Sequence, residues 1–351
     1  MMKILITGNM GYIGPCLVER LRKSYPDAVL IGIDMGYFAH CLTNATAIPE
    51  HRVDIQYFDD LRTWPETLVP LDDIDMVVHL AAISNDPMGN TFEKVTLDVN
   101  YRASIELAKK AKKAGVKSYV FASSCSTYGF AEGGARTETS PVNPLTAYAI
   151  SKVNTEKELE GLAGPGFTVT SLRFATACGM SERLRLDLVL NDFVACAVTT
   201  KKITILSDGT PWRPLIHIHD MARSIDWAIS RKPANGGDFT VVNVGSDQWN
   251  YQVKDLAEAV ASVIPGVEIS VNKDAQPDKR SYKVDFARYR ELAPDHQPVI
   301  SLKQAIQGLQ EGLETMNFAD TDFRNSSLIR LKVLTDFRER GVLNENLDWM
   351  K

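Results

Sequence analysis

Tyr148 and Lys152 have the residue types and the spacing from which chemistry follows most directly in this 351-residue sequence. Four residues apart on a helix, the two side chains lie on one face. A tyrosine with its reference pKa of about 10 is a poor base at neutral pH, but a neighbouring cation stabilises the phenolate and lowers that pKa. Such a pair can take the proton of a hydroxyl group. The same spacing is common on helices of no special function. The position of the pair in the fold must therefore decide whether it is a catalytic pair.

A cluster of small hydroxyl side chains precedes this pair in the sequence. It follows the predicted strand Ser118–Ala122 and comprises Ser123, Ser124, Ser126 and Thr127. The pair itself lies on the next predicted helix, Ala147–Leu162. Since ligands of parallel sheets bind at the carboxyl ends of the strands, we expect the hydroxyls and the tyrosine–lysine pair at one edge of a sheet.

The amino-terminal part of the sequence predicts a bound dinucleotide. The strand-like run Lys3–Thr7 leads into three glycines, of which Gly8 permits a tight turn, Gly11 lets N–H groups approach a pyrophosphate, and Gly14 lets the following helix pack closely. The helix N-terminus then faces the anion. We assign to the cofactor the whole turn, Gly8, Asn9, Met10, Gly11, Tyr12, Ile13 and Gly14.

The second predicted strand, Val29–Asp34, bears on which dinucleotide is bound. Its last residue, Asp34, is placed to accept hydrogen bonds from the ribose hydroxyls. A 2′-phosphate would meet like charge there, and the residues that follow supply no arginine or lysine. We therefore predict NAD rather than NADP. A nicotinamide cation would also help to lower the pKa of Tyr148.

Alternating strand and helix signals predict an α/β fold, a Rossmann doubly wound parallel sheet with a smaller mixed α/β substrate lobe. The predicted strands are Lys3–Thr7, Val29–Asp34, Met76–Leu80, Ser118–Ala122 and Thr168–Leu172. From Pro265 to about residue 300 we expect irregular structure. The predicted units are 1–176 with 215–245 for the NAD-binding domain, 177–214 with 246–314 for the substrate lobe, and 315–351 for a helical C-terminal extension.

Composition excludes several classes of partner. The formal charge is −5 without a long basic run, which argues against nucleic acid and anionic membranes. The five cysteines and six histidines show no metal-ligand spacing, so we predict no metal site and read the cysteines as reduced thiols of a cytoplasmic protein. No apolar stretch is long enough to span a bilayer.

With these motifs, residues 3 to about 310 resemble the extended short-chain dehydrogenase/reductase family, in its nucleotide-sugar epimerase and dehydratase branch. The resemblance implies a catalytic set of Ser124, Tyr148 and Lys152. It also implies cofactor contacts from Asp54, Ile55, Leu80, Ala81, Ala82, Asn100, Ser123, Tyr148 and Lys152. Substrate contacts are assigned to Ser84, Ser124, Ser126, Thr127, Thr176, Asn191, Arg213 and Arg280, the two arginines gripping a diphosphate bidentately.

Departures from the family pattern reduce the number of reactions that the enzyme is expected to catalyse. The 4,6-dehydratases carry Asp and Glu after the catalytic Ser/Thr, where this chain has Cys125 and Ser126. Cys125 resembles the cysteine that helps to move a ring proton in the family's epimerase-reductases, so we include it among the candidate catalytic residues. An extra residue lies between Cys125 and Tyr128, however, and a small packed side chain is an equally good interpretation. Thr176 stands where many relatives have asparagine.

The leading hypothesis is an NAD-dependent epimerase of a nucleotide-diphosphate sugar that acts through a transient keto sugar. The alternatives are an NAD(P)H-dependent 4-keto nucleotide-sugar reductase or epimerase-reductase and, less favoured, a 4,6-dehydratase or a non-catalytic NAD-binding protein. The resemblance implies a homodimer formed through the helices Asn100–Ala114 and Tyr148–Leu162.

The extension 315–351 carries an apolar stripe that we expect to pack on the body of the protein or on a second subunit. The stripe consists of Leu328, Leu331, Leu334 and Phe337. Three cations of this segment, Arg324, Arg330 and Lys332, have side chains long enough to reach an active site.

Overall fold

The computed structural model describes residues 1–64, 69–131, 133–272 and 281–350 of the chain. Within these ranges the strands are β1 (Lys3–Thr7), β2 (Val29–Asp34), β3 (Ile55–Phe58), β4 (Met76–His79), β5 (Ser118–Ser124), β6 (Thr168–Phe174), β7 (Thr176–Cys178), β8 (Lys202–Ile205), β9 (Trp212–His217), β10 (Phe239–Val244), β11 (Asn250–Gln252) and β12 (Glu268–Val271).

The central sheet has seven strands in the order β10-β6-β5-β4-β1-β2-β3. Every neighbouring pair is parallel, so the carboxyl ends of all seven strands lie at one edge. The strand order reverses between β1 and β4, the point at which doubly wound sheets open a crevice for ligands. The predicted Rossmann fold is confirmed.

Helices cover both faces of this sheet. They are α1 (Gly14–Ser24), α2 (Asp86–Thr91), α3 (Glu93–Leu97), α4 (Ser104–Lys113), α5 (Ala147–Leu162), α6 (Val189–Thr199), α7 (Ile218–Ser230), α8 (Val253–Val263), α9 (Ala287–Leu292), α10 (Leu302–Thr315) and α11 (Arg330–Glu339). Helices α1 and α7 bury Leu17, Leu21 and Ile225 on one face, whereas α4 and α5 bury Leu107 and Leu159 on the other. This two-sided cover explains why the strands read as continuous apolar runs.

The elements after β6 build two small sheets beside the central one. Strands β11, β9 and β7 form the first, and β12 and β8 form the second. The expectation of irregular structure from Pro265 to about residue 300 is wrong in part, because β12 and α9 lie there. All four residues of β12 are exposed, so no burial pattern marks this strand in the sequence. The division into a cofactor domain and a substrate lobe stays a prediction.

The C-terminal extension folds onto the body of the protein. Leu334 of α11 is fully buried in a cluster with Ile83, Met88 and Phe92, and Leu331 and Phe337 pack against that cluster. The apolar stripe was expected to pack either on the body of the protein or on a second subunit, and the structure supports the first of these. Among the described residues, none of the helices has the length and apolar character needed to cross a bilayer.

Candidate active site

A cavity of about 730 Å³ opens at the carboxyl edge of the central sheet and extends toward the small sheets. Predicted cofactor residues that line it are Gly8, Gly11, Tyr12, Ile13, Asp34, Leu80, Ala81, Ala82, Ser123, Tyr148 and Lys152. Predicted substrate residues that line it are Ser84, Ser124, Ser126, Thr176 and Arg213. Arg280 lies outside the described residues. The sequence-based assignments thus converge on one cavity, while the individual roles stay predictions.

The glycine turn fits a dinucleotide because side chains are sterically excluded from it. A Cβ on Gly8, whose φ is +75°, would lie 2.5 Å from the backbone nitrogen of Ala81. A Cβ on Gly14 would lie 1.8 Å from the carbonyl oxygen of Asn9. The N-terminus of α1 therefore stays close to β1 and open toward the cavity, which is the arrangement that binds a pyrophosphate.

Asn9, Met10 and Gly14 support the turn from behind and do not line the cavity. The Asn9 amide donates to Gln56 Oε1 at 2.6 Å. The Met10 N–H donates to the carboxylate of Asp34 at 3.0 Å. Their assignment as direct cofactor contacts is therefore corrected: they shape the turn and orient the acid.

Asp34 ends β2 at the cavity wall. Its carboxylate accepts from the Gly36 N–H at 2.8 Å as well as from Met10, and burial raises its pKa above the usual value while these backbone bonds oppose the rise. A carboxylate has further lone pairs, so it can still accept from the two hydroxyls of a ribose. The carboxylate acceptor in this wall thus fits the ribose hydroxyls of NAD.

The adenine contact predicted for Asp54 and Ile55 is wrong. Asp54 precedes β3, at the amino-terminal edge of the sheet, where its carboxylate accepts from the Leu30 N–H and pairs with Arg22, both at 2.8 Å. Neither residue lines the cavity. At the carboxyl end of β3, the cavity wall is formed instead by Asp59, Asp60 and Leu61. Recognition of the short strand β3 would have pointed to this later acidic pair.

The helix that carries the tyrosine–lysine pair begins at the cavity. The Thr146 hydroxyl caps α5 by accepting from the Ala149 N–H at 3.1 Å, and it donates to Asp86 at 2.7 Å. The cap fixes the first turn of α5, which places Tyr148 in the cavity wall beside Ser124.

Burial dominates the electrostatics of the pair. It raises the pKa of Tyr148 to about 12, and the hydrogen bond with Ser124 opposes this rise. Burial also lowers the pKa of Lys152 to about 7. The Lys152 ammonium group donates to the Ala122 carbonyl at 2.6 Å and lies 5.6 Å from the centre of the Tyr148 ring. A phenolate in this site would be stabilised by the Ser124 hydroxyl and the Arg185 cation, and by Lys152 in its protonated form.

Asn100 acts behind the cavity wall. Its side chain accepts from the Ile83 N–H at 2.8 Å and donates to the Ile83 carbonyl at 2.9 Å. Its own carbonyl accepts from Thr155 of α5 at 3.0 Å. It lies in a π-helical turn, Asp98–Ala103, which continues into α4. Asn100 thus joins the loop after β4 to the helix that carries Tyr148, in keeping with an ordering role, and it is not a direct cofactor contact.

The structure separates three predicted residues from the cavity, and their assignments are corrected. Cys125 is buried, its thiol donates to the Arg173 carbonyl at 3.1 Å, and burial raises its pKa. The Thr127 hydroxyl donates to the carbonyl of Ser124. Asn191 is fully buried and bonds Gly179 N, Tyr12 Oη and Arg185 O. These side chains hold the loops together, and Cys125 is not placed for catalysis.

Sequence reasoning missed a polar cluster on the substrate side of the cavity. Arg185 pairs with Asp187 at 2.9 Å and donates to the Ser84 hydroxyl at 2.9 Å. Asn85 donates to the same Asp187 carboxylate at 2.7 Å. All four residues line the cavity. The charges in the segment Arg183–Asp187 were a possible signal, but their spacing alone does not show which residues turn inward.

Two further cavity residues belong to the C-terminal extension, namely Arg324 and Arg330, whereas Lys332 does not line the cavity. Among the described residues, no three His, Cys, Asp or Glu side chains lie together in a way that could hold a metal ion.

Comparison with known proteins identifies the family of the chain. The model of the NAD dependent epimerase/dehydratase family matches residues 4–245. A Bacillus subtilis protein named as an uncharacterized UDP-glucose epimerase, YtcB, is 31% identical over 70% of this chain and 77% of its own. The UDP-glucose 4-epimerase of Streptomyces lividans is 25% identical over 74% of this chain and 80% of its own.

Solved structures show the same fold at lower identity. TunA, described as an NAD-dependent NDP-hexosamine 5,6-dehydratase of tunicamycin biosynthesis, superposes with a TM-score of 0.75 at 24% identity and covers 92% of this chain and 100% of its own. A UDP-glucose 4-epimerase from Thermotoga maritima gives 0.75 at 23% identity, over 90% and 99% of the two chains.

The chain belongs to the NAD dependent epimerase/dehydratase family. It is an enzyme of this nucleotide-sugar class, and the predicted cofactor, NAD, is confirmed by the family membership.

Proposed function

We propose that this enzyme epimerises a nucleotide-diphosphate sugar through a transient keto sugar. The observation that carries the proposal is the convergence of Tyr148, Lys152 and Ser124 on the cavity that also contains the glycine turn and Asp34. The two positions that hold the acid and base of 4,6-dehydratases carry Cys125 and Ser126 instead. The thiol of Cys125 is directed into the core, which supports neither a dehydratase nor an epimerase-reductase.

In this mechanism Tyr148 accepts the proton of a sugar hydroxyl, and Ser124 hydrogen-bonds to the reacting oxygens. Lys152 stabilises the phenolate through its positive charge. When bound, NAD supplies the acceptor for the hydride that leaves the sugar carbon, and it can return this hydride to the same carbon. The walls of the cavity exclude water from the keto sugar, which has to turn over before it is reduced on its other face.

The substrate end of the cavity supports a diphosphate sugar. Arg213 of β9 lines it and offers a guanidinium that can bind phosphate oxygens bidentately. The Ser126 hydroxyl is buried without a hydrogen-bond partner among the described residues, so a sugar hydroxyl would satisfy it. Because several curated relatives are named UDP-glucose 4-epimerases, UDP-sugars head the set of substrates to be tested.

The first experiment is to denature freshly purified protein and identify the released dinucleotide by mass spectrometry. Stoichiometric NAD is expected, because an epimerase regenerates its cofactor in every cycle and has no need to exchange it. Protein that is empty, or that carries NADPH, would favour the ketoreductase, in which the cofactor is a co-substrate. Incubation with a panel of nucleotide sugars then identifies the interconverted pair.

Tyr148→Phe tests the proposed base directly. We expect turnover to fall by at least about 10²-fold, the usual contribution of a general base, with bound NAD retained. Full activity of this variant would contradict the mechanism. Measuring the NAD content of the same preparation separates loss of catalysis from loss of the cofactor.

We also propose a cytoplasmic homodimer, in which α4 and α5 of two copies form the interface. Light scattering of the purified protein tests this: a monomer mass at micromolar concentration would contradict it.

A further inference from the structure

The C-terminal extension spans the cavity from the substrate side to the cofactor side. At its start, Arg324 pairs with Asp192 of α6 through two bonds of 2.8 Å, and both residues line the cavity. The Leu328 carbonyl next accepts from the Leu186 N–H at 3.0 Å. The segment is therefore attached to the substrate side before α11 begins.

The far end of the extension is attached to the loops that follow β2 and β3. The Trp349 indole donates to the Met35 carbonyl at 2.8 Å, and the Tyr37 hydroxyl donates to the Leu347 carbonyl. Asp348 pairs with Arg62 at 2.6 Å. These loops adjoin Asp34, so the attachment lies at the end of the cavity that fits the adenosine of the dinucleotide.

Arg330, the first residue of α11, lies between these two attachments and lines the cavity. Only 1% of its surface is exposed. Its guanidinium lies 4.5 Å from the centre of the Phe38 ring, and it donates to the Arg183 carbonyl at 2.8 Å. Burial lowers its pKa to about 10, so the side chain is still a cation at neutral pH.

This cation lacks a counter-ion in the part of the chain that the structure describes. Arg183 pairs with Glu50 and Arg185 with Asp187, but no carboxylate lies within ion-pair distance of Arg330. One of its terminal nitrogens is also buried without a hydrogen-bond partner. The Arg183 carbonyl and the Phe38 ring offset part of the cost of burying this charge, and Cys41 and Asp187 act on it electrostatically. Because no carboxylate pairs with it directly, an anion in the adjacent cavity would stabilise this arrangement further.

The position of Arg330 indicates which anion. Its partner Arg183 belongs to a loop that is attached to the glycine turn, since the Ser181 hydroxyl donates to the Tyr12 carbonyl at 2.7 Å. Phe38 follows β2 and Asp34. Arg330 therefore adjoins the cofactor-side loops through Arg183 and Phe38, although Arg185 and Asp187 of the substrate-side cluster also act on it electrostatically. Arg213, on β9, is the arginine that we assign to the substrate.

We propose that Arg330 is the counter-ion of the diphosphate of bound NAD, and that the extension holds the cofactor in the cavity through it. The proposal rests on the proposed function only in that the cavity binds a dinucleotide. It makes the extension a part of the cofactor site and explains why a buried arginine is found without a carboxylate.

The test compares cofactor and substrate affinities in full-length Arg330→Met and Arg330→Lys. Calorimetry is done with NAD and, separately, with UDP as a probe of the substrate diphosphate site. We expect Arg330→Met to weaken NAD binding about tenfold or more, the effect of one charged interaction, with UDP binding within about twofold of the unchanged protein. Arg330→Lys keeps the charge and should recover part of the loss.

Weaker UDP binding with unchanged NAD binding would overturn the proposal, because the cation would then serve the substrate. Unchanged binding of both ligands, or equal loss of both, would overturn it as well. None of these readouts requires epimerase activity, so failure of the proposed function is distinguishable from failure of this inference.

A second variant keeps the test decisive if Arg330→Met does not fold. Trp349→Ala removes a distant attachment of the extension and leaves Arg330 in place, so we expect NAD to dissociate faster after rapid dilution of the holoenzyme. Arg340→Ala is the matched control, since Arg340 is exposed and pairs with Asp336 inside α11. A dissociation rate in Trp349→Ala equal to that of the control would contradict the proposed holding role.

Discussion

At the scale of single residues, the site depends on how Tyr148 is made basic within a buried environment. Burial alone would keep the phenol protonated, since it raises the pKa to about 12. The Ser124 hydroxyl opposes that shift, and the Arg185 cation does so to a smaller extent. A residue at the end of β5 and a residue from the loop before α6 thus act on the same proton.

Removing the Ser124 hydroxyl should therefore move the pH dependence of turnover. In Ser124→Ala the pKa of Tyr148 rises further, so less phenolate forms at a given pH. We expect activity at neutral pH to fall by about 10²-fold and the rising limb of the pH–rate profile to move to higher pH. A lower rate with an unmoved limb would show that Ser124 only positions the substrate.

Cys125→Ala should leave the reaction almost unchanged. The thiol is buried against the Arg173 carbonyl and does not line the cavity. We expect kcat within about twofold and a loss of stability of about 1 kcal/mol, because a small buried group is removed. A large loss of kcat in folded protein would restore the interpretation of Cys125 as a proton-transfer residue.

That the proposed catalytic residues line one cavity was predictable because their relation is local. Tyr148 and Lys152 share one helix face, and Ser124 ends the strand that precedes that helix. Asn191 was not predictable in the same way. It and Asp192 are neighbours on α6, and only the packing of the finished fold shows that Asp192 faces the cavity while Asn191 bonds the loops behind it.

At the scale of elements, the contact between β1 and α1 decides whether the cofactor turn can form. Gly14 starts α1 against the carbonyl of Asn9, and no side chain fits between them. A polar network under the active site fixes the position of α5. Glu156 of this helix pairs with Arg173 of β6 at 2.6 Å and accepts from Ser123 of β5, so the helix is fixed to both strands.

Two alanine substitutions of helical glycines should have opposite effects. Gly14→Ala puts a methyl group into the backbone of the turn, so we expect a loss of about 1–3 kcal/mol in the free energy of unfolding and weaker NAD binding. Gly161→Ala, near the end of α5, meets nothing within 4 Å and should stabilise the protein by about 0.5–1 kcal/mol.

Denaturant unfolding and NAD titration check both variants. Equal stability of the two would contradict the close packing of α1 on β1.

Short elements account for most of what the sequence did not reveal. Strands β1 and β2 have buried apolar centres and were predicted with their observed bounds. Strand β3 lies at the edge of the sheet with Ile55 and Phe58 exposed, so it has no clear pattern. The resemblance alone assigned the adenine contact to Asp54 and Ile55, and without β3 nothing in the sequence showed that Asp54 precedes a strand and lies at the other edge of the sheet.

At the scale of the whole molecule, the predicted cofactor domain and the predicted substrate lobe contribute to one hydrophobic cluster. Leu17 of the cofactor side, Leu256 of α8 and Leu309 of α10 belong to the same buried cluster. The extension adds a third group of apolar contacts around Leu334 and Leu347. A core of this kind does not allow one lobe to unfold while the other keeps its packing.

We therefore expect one cooperative unfolding transition. Far-ultraviolet circular dichroism and tryptophan fluorescence should give coincident denaturation curves, because Trp64, Trp227 and Trp249 report from different parts of the fold. Saturating NAD should move the whole transition to higher denaturant concentration. At an NAD concentration of a hundred times its dissociation constant, the free energy of unfolding should rise by about 2.7 kcal/mol. Two separate transitions would show that the lobes are independent.

The attachment of Trp349 to Met35 has a consequence for how the enzyme is made. The glycine turn leaves the ribosome early in synthesis, whereas the segment that carries Arg324, Arg330 and Trp349 emerges last of the parts described above. A nascent chain that has folded through α10 has a nearly finished sheet but an open wall beside its cofactor. If the extension holds NAD as proposed, we expect stable retention of the cofactor to be a late event, which requires the extension to have folded.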